Sequence, residues 1–398
     1  DSTQLLLNDN KTKGYSVRLN YDRPLSNKKT FLSLGAFYNN SRSDVDVDAQ
    51  YIRRSDGLWV PLQTLINHFF FRQEITNYRA SVKQVFNKNF SLTGGASTEE
   101  TKVFFDVFDK GGIKENSYWN LLPFFNINKS WENKWNITFA YKRTIRRPGM
   151  SQLNPIVDSS DLYHLRAGNP ELFPSLANNF DLVVGKTNKS FYANMSLGYN
   201  MVDDIFNQVR QRINDETTLI QWQNISGKKE YEISTWSGYT ISKKSKINLS
   251  ASYTYNEYGD YDRVVRKFIN SGSFTSNLNS HYNISDVYSA TGSFTFNRFA
   301  NPQGSVRSNL SMNLGLQGKF LDKKLIATLN IIDPFTQQET RSTTLGTNFQ
   351  LDNFNTTQTR NLRLTLAYNF NNTAKKKKAA GSPKPQLDNA VKQPKQAS

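Results

Sequence analysis

The stretch Lys246-Ile-Asn-Leu-Ser-Ala-Ser-Tyr-Thr-Tyr-Asn256 (KINLSASYTYN) alternates almost without interruption. Ile247, Leu249, Ala251, Tyr253 and Tyr255 are apolar or aromatic, and Asn248, Ser250, Ser252, Thr254 and Asn256 between them are small and polar. Successive side chains of an extended strand fall on opposite faces, so this segment has one oily face and one wet face. What covers the oily face, a second sheet or lipid, decides the fold.

The alternation recurs along the chain. Tyr15, Val17, Leu19 and Tyr21 show it, as do Trp135, Ile137, Phe139 and Tyr141. Further instances are Phe191 to Tyr199, Leu310 to Leu316 and Leu362 to Phe370, whereas no stretch carries a comparable helical period. Two kinds of spacer alternate between these strands. Residues 26–29, 87–89, 188–189, 242–246 and 321–324 are short, polar and turn-like; residues 49–63, 106–116, 148–177 and 352–358 are long and irregular. Transmembrane barrels sort their connections in this way, with tight periplasmic turns and long extracellular loops.

Composition agrees. Of 398 residues, 37% are hydrophobic and 13% aromatic, and the mean hydropathy is −0.63. No apolar run approaches the roughly 18 residues that a membrane-spanning helix needs, but barrel strands give half their positions to a polar lumen and pass that test unseen. The wet faces carry mainly Ser, Thr, Asn, Gln and Gly with scattered charge, where the outer faces of a soluble sandwich would carry Lys and Glu. The oily faces end in rings, as at Trp131, Trp135, Tyr253 and Tyr255, the pattern of aromatic girdles at a lipid boundary. The expected fold is all-β: a large antiparallel transmembrane β-barrel over residues 1–370, with about fifteen strands visible. Its partners are then outer-membrane lipid and lipopolysaccharide. A soluble all-β adhesin is the weaker alternative.

Residues 371–398 hold seven Lys and one Asp, and so supply +6 of the net charge of +17. With Lys375 to Lys378 and three prolines they read as a disordered basic tail, placed in the periplasm. No aromatic or recognition element accompanies the tail, so no nucleic-acid partner is expected.

Chemistry is sparse. There is no cysteine, hence no disulfide frame or thiolate metal site. The three histidines, His68, His164 and His281, lie far apart, and no serine sits in a nucleophile elbow. Neither an enzyme nor a cofactor is expected. Asp44, Asp46 and Asp48 share a strand face and suit Ca²⁺ by ligand type, or else form a solvated strand extension. Arg53-Arg54 and Arg146-Arg147 fit forked recognition of lipopolysaccharide phosphates or of an anionic substrate or, alternatively, support of loop backbone and balance of neighbouring acids. Trp59, Trp222, Tyr258 and Tyr261 fit sugar stacking or the upper aromatic girdle.

Two stretches carry a family resemblance. One is Tyr141-Lys-Arg-Thr-Ile-Arg-Arg-Pro148 followed by Leu153-Asn-Pro155; the other is Gly168-Asn-Pro-Glu-Leu172 with Pro174 after it. Their order resembles the C-terminal barrel of TonB-dependent outer-membrane receptors, more narrowly the Bacteroidetes-type outer-membrane β-barrel proteins. Asn361 to Phe370 resembles a terminal barrel strand that closes on an aromatic residue. The resemblance implies a barrel of about 22 strands with a plugged lumen. It also implies a small nutrient ligand (siderophore, glycan, peptide or vitamin complex) and energy from TonB through a plug. The visible strands fall about seven short of that strand number and no plug is visible, so the chain reads as the C-terminal part of a larger barrel. The alternative is a complete, porin-like passive or structural barrel of about 16 strands.

Overall fold

The computed structural model describes residues 3–370 apart from 63–65, 108–111, 159–160, 162, 260–269, 309, 336–337 and 346–348. Among the described residues, fifteen strands make the wall. The first five are long: β1 (Gln4–Pro24), β2 (Thr30–Ile52), β3 (Asn67–Asn87), β4 (Phe90–Val107) and β5 (Gly112–Ser130). They are followed by β6 (Trp135–Arg146), β7 (Ser175–Thr187), β8 (Phe191–Asp203), β9 (Lys228–Thr240) and β10 (Ser245–Tyr258). The last five are β11 (Ser271–Asn283), β12 (Tyr288–Asn301), β13 (Ser311–Phe320), β14 (Leu325–Ile332) and β15 (Asn361–Tyr368). Each wall strand pairs antiparallel with the next. Four further strands, Trp59–Pro61, Gly304–Ser308, Gln338–Leu345 and Gln350–Thr357, extend the wall at the long-loop end and bring the sheet to 19 strands.

One apolar face runs unbroken through the register. Leu19 lies opposite Ala36, which lies opposite Tyr78. Tyr141 lies opposite Phe125 and Phe180, and Tyr199 opposite Phe180 and Tyr231. Leu329 lies opposite Leu316 and Leu364. Because facing residues share a side, a one-residue slip would turn a strand's rings into the lumen. The described wall ladders hold register through the band; the one shift, between Val85 and Asn87, falls beside a turn. Rings on this face touch from strand to strand: Phe125, Tyr141, Phe180, Tyr199 and Tyr231 form a chain with centroid separations of 5.5, 4.9, 6.2 and 5.2 Å. Leu19, Tyr78, Leu197 and Leu364 on it are exposed in the chain alone, as a surface covered by lipid must be.

The connections are sorted by end. At one end the strands are joined by tight turns, where Lys28, Lys134, Leu321, Asp322 and Lys323 take positive φ. Asn27 Oδ1 accepts the N–H groups of Lys29 and Thr30 at 2.9 Å, an Asx turn that closes the first hairpin. All the long connections lie at the other end. Strand β2 has 23 residues, about 75 Å of chain at ~3.3 Å per residue, against an apolar band of ~25 Å. Even when tilted, β1 to β5 must project well past the membrane. Residues 352–358, expected as a long loop, fall largely within Gln350–Thr357, which pairs with Gln338–Leu345; polar strand extensions above the membrane mimic loops in composition.

Strand β1 pairs only with β2, and β15 only with β14; among the described residues no ladder joins the two, and every residue of both strands is exposed. The basic tail lies outside the described residues.

Candidate functional site

After β6 ends at Arg146, Pro148 stops the strand, because a prolyl residue offers no N–H to a ladder. The chain then turns onto the sheet face opposite the lipid band, the lumen side. It makes one helical turn, Met150–Leu153, entered from Gly149, whose N–H is accepted by Gln152 Oε1 at 2.8 Å. Twelve residues beyond Ile156 the chain returns alongside itself. Gly168 N–H donates to Asn154 O at 2.8 Å and Asn169 N–H to Gln152 O at 2.7 Å. A Cβ on Gly168 would stand 2.4 Å from Asn154 O and 2.7 Å from Gln152 O, so only glycine permits this approach. Asn169 Oδ1 then accepts the Glu171 N–H at 2.9 Å and turns Leu172 inward.

Leu153 and Leu172, 2% and 4% exposed, enter a core with Val45, Phe69, Phe71, Val103 and Phe105 from the lumen face of β2 to β4. Phe206 completes it from a hairpin, Ile205–Arg212 with Thr218–Ile225, which also pairs in parallel with His164–Ala167. Ser175 Oγ, donating at 3.0 Å to the carbonyls of Asp203 or Asp204, and Asn224 Nδ2, donating to Phe173 O and Asp204 O, pin the hairpin base. Loop 147–174 and the hairpin together fill the lumen side of the long-loop end.

Charge organises this region. Arg147 pairs with Glu99 and donates from Nε to Thr101 Oγ1 at 3.0 Å, all three lying on or against the lumen face. Burial lowers the Arg147 guanidinium to about 10, which still leaves it charged at neutral pH. Its neighbour Arg146 instead lays its guanidinium on the Phe206 ring, 4.6 Å from the centroid. Above them, Arg166 and Arg210 flank Ile220 in the small sheet. Burial, and then the charge of Arg166, holds the Arg210 guanidinium below its ordinary value.

Beneath the folded loop is a cavity of about 1090 Å³, lined by Lys142, Arg146, Asn179, Asn200, Trp222 and Tyr258 among others. This is just above the roughly 300–1,000 Å³ typical of ligand sites. Its floor is the lumen face of β6 to β10, where Lys228 contacts Glu230 and donates to Asn256 Oδ1 at 2.7 Å, and Asn200 Nδ2 donates to Glu230 at 2.9 Å.

The structure sorts the residues singled out in the sequence. Arg147 is the loop support that one reading gave it, while Arg146 faces the cavity. Trp222 and Tyr258 line the cavity as well, whereas Trp59 is exposed on its short strand and Tyr261 lies outside the described residues. Arg53 closes a local turn through Asp56 at 3.1 Å, and Arg54 is exposed. Asp44, Asp46 and Asp48 do share the outward face; Asp44 pairs with Arg42 at 3.3 Å and Asp46 contacts His68. Among the described residues no three acidic or histidine groups assemble as a metal-binding cluster. His164 and His281 bond locally to Asp161 and Asn283, each at 3.0 Å. Lys142, Glu99 and Phe206 were not anticipated. Lys142 had a signal, since it takes the polar position that follows Tyr141 in the alternating run begun at Trp135.

A single antiparallel wall with a lipid-facing apolar band, short turns at one end and in-folded loops at the other defines a transmembrane outer-membrane β-barrel protein. The chain belongs to the outer membrane protein beta-barrel family, which matches residues 1–368. No curated protein sequence matches it. Among solved structures it is similar to the copper transporter OprC, with TM-score 0.69 and 8% identity over 91% of this chain and 57% of that one. It is similar also to the ferric citrate transporter FecA, with TM-score 0.64 and 12% identity over 91% and 55%. The siderophore receptor PiuA from Acinetobacter baumannii gives TM-score 0.63 and 11% identity over 91% and 56%. The chain spans little more than half the length of each.

Proposed function

We propose that the chain is the main part of the wall of an outer-membrane receptor. In this reading it captures a scarce small nutrient at its long-loop end and admits it through a lumen gated by a plug and energised by TonB. The observation that carries the reading is the ligand-sized polar cavity held on the lumen side by loop 147–174. The buried ion pair and apolar core lock the loop in place, so the cavity keeps its shape. The shared fold of copper, ferric citrate and siderophore transporters supports the same reading. The unpaired edges of β1 and β15 support a wall completed by further strands, because unsatisfied backbone N–H and C=O groups cost several kcal/mol each in hydrocarbon. The short-turn end then faces the periplasm and with it the basic tail.

Planar-bilayer recording of the full-length protein tests the gate. A plugged receptor is expected to show no steady ion conductance. A stable open conductance on insertion would favour the porin-like alternative.

A further inference from the structure

We propose that the lumen cavity is built for a small molecule bearing two anionic groups about 1 nm apart, held by Lys142 and Arg146. The proposal rests on the receptor reading, since it names the chemistry of that reading's ligand.

The argument is a charge count over the cavity wall. Four cations line it, Lys142, Arg146, Arg147 and Lys228, with Glu230 as an acid. Arg147 is consumed by Glu99, and Lys228 by Glu230 and Asn256. No carboxylate partner of Lys142 or Arg146 occurs among the described residues. Asp181, one strand over, lies near enough to feel the charge of Lys142 but makes no ion pair with it. Two solvent-exposed cations without an ion-pair partner in the described wall thus line a half-open cleft, where their summed charge attracts an anion.

Geometry gives the spacing. Lys142 and Arg146 stand four residues apart on β6, both on the lumen face, which separates their Cα atoms by ~13 Å at ~3.3 Å per residue. Thr144 lies between them, with Asn179 opposite Lys142 on β7 and bonded to Thr144 Oγ1 at 3.0 Å. The middle of the site is therefore uncharged and hydrogen-bonding, with cations at both ends. Arg146 is also preorganised: Phe206 supports the plane of its guanidinium, which fits that group for a forked contact with a carboxylate or phosphate. Trp222 and Tyr258 supply apolar wall.

Calorimetric titration of the full-length protein in detergent tests this. The probes are citrate, inorganic phosphate and trigalacturonate, with maltotriose as the uncharged control. Trigalacturonate, whose terminal carboxylates match the spacing, is expected to bind most tightly and maltotriose not at all. K142Q and R146Q should each weaken it about 10-fold, the usual worth of one charge-assisted hydrogen bond. R146K, which keeps the charge but loses the fork, should fall between wild type and R146Q and shows that the site still folds. Anion binding that is unchanged in K142Q and R146Q overturns the proposal, as does the failure of every anionic probe. If maltotriose binds while the anions do not, the receptor reading survives and this one fails. If nothing binds and the bilayer shows a stable open conductance, the receptor reading fails too.

Discussion

Gly168 occupies the point where loop 147–174 crosses its own path, and the whole in-folded region depends on that contact. Its N–H and that of Asn169 bond the Gln152 and Asn154 carbonyls, and a methyl group there has nowhere to go, since the obstructing atoms are backbone. Gly168→Ala is expected to cost about 1–3 kcal/mol of local stability, the usual penalty of overpacking. It should leave the barrel in the membrane but expose the loop, so limited proteolysis of the folded protein would cleave between residues 149 and 174. An uncleaved variant would show that the crossing tolerates a side chain. Leu153 and Leu172, which this crossing points into the core, explain the Leu-Asn-Pro and Gly-Asn-Pro-x-Leu order by packing alone. Arg147 belongs to the same frame: with Glu99 it is a buried ion pair, and the loss of one partner leaves the other charge stranded.

Each wall strand is a strip with lipid on one side and the lumen on the other, and neighbouring positions answer to different solvents. In β10, Leu249 lies on the lipid face opposite Leu278, and Ser250 faces the lumen opposite Trp236. Leu249→Arg should cost about 2–4 kcal/mol, because a cation is placed in the apolar band. Ser250→Arg, one residue away, should be nearly silent. The fraction of heat-modifiable, folded protein in outer-membrane extracts separates the two; equal losses would contradict the assignment of faces. The pattern in KINLSASYTYN was legible without a structure because period two is a local consequence of strand geometry. The hairpin Ile205–Arg212 with Thr218–Ile225 was not legible as a cap, although its residues are strand-like. Phe206 and Trp222 resemble any half-buried strand residues until the strands that bury them, β2 to β4, are brought in from about 100 residues or more back along the chain.

For the molecule as a whole, the two ends should be distinguishable in living cells. The chain has no cysteine, so single introduced thiols report without background. Ile213→Cys at the hairpin tip and Trp59→Cys on its short strand are expected to react with a membrane-impermeant maleimide added to intact cells. Ser242→Cys in a short turn should react only after lysis. Labelling of Ser242→Cys from outside would invert the barrel. The number of wall strands followed from the sequence, because each strand carries its own two-sided pattern and each turn its own polar signature; of the four expected long loops, 106–116 and 352–358 are mostly strand. The fate of the long loops did not follow. A loop's side chains do not record whether it waves in water or folds into the lumen, since that depends on which face of distant strands it meets.

The sequence by itself therefore determined an all-β, lipid-facing wall, since alternation and aromatic girdles are written into each strand separately. Only the tertiary structure decided that Arg147 is a structural ion and Arg146 a cavity cation. Their difference lies in where Glu99 and Phe206 arrive from elsewhere in the chain, and two adjacent arginines in a sequence carry no trace of it.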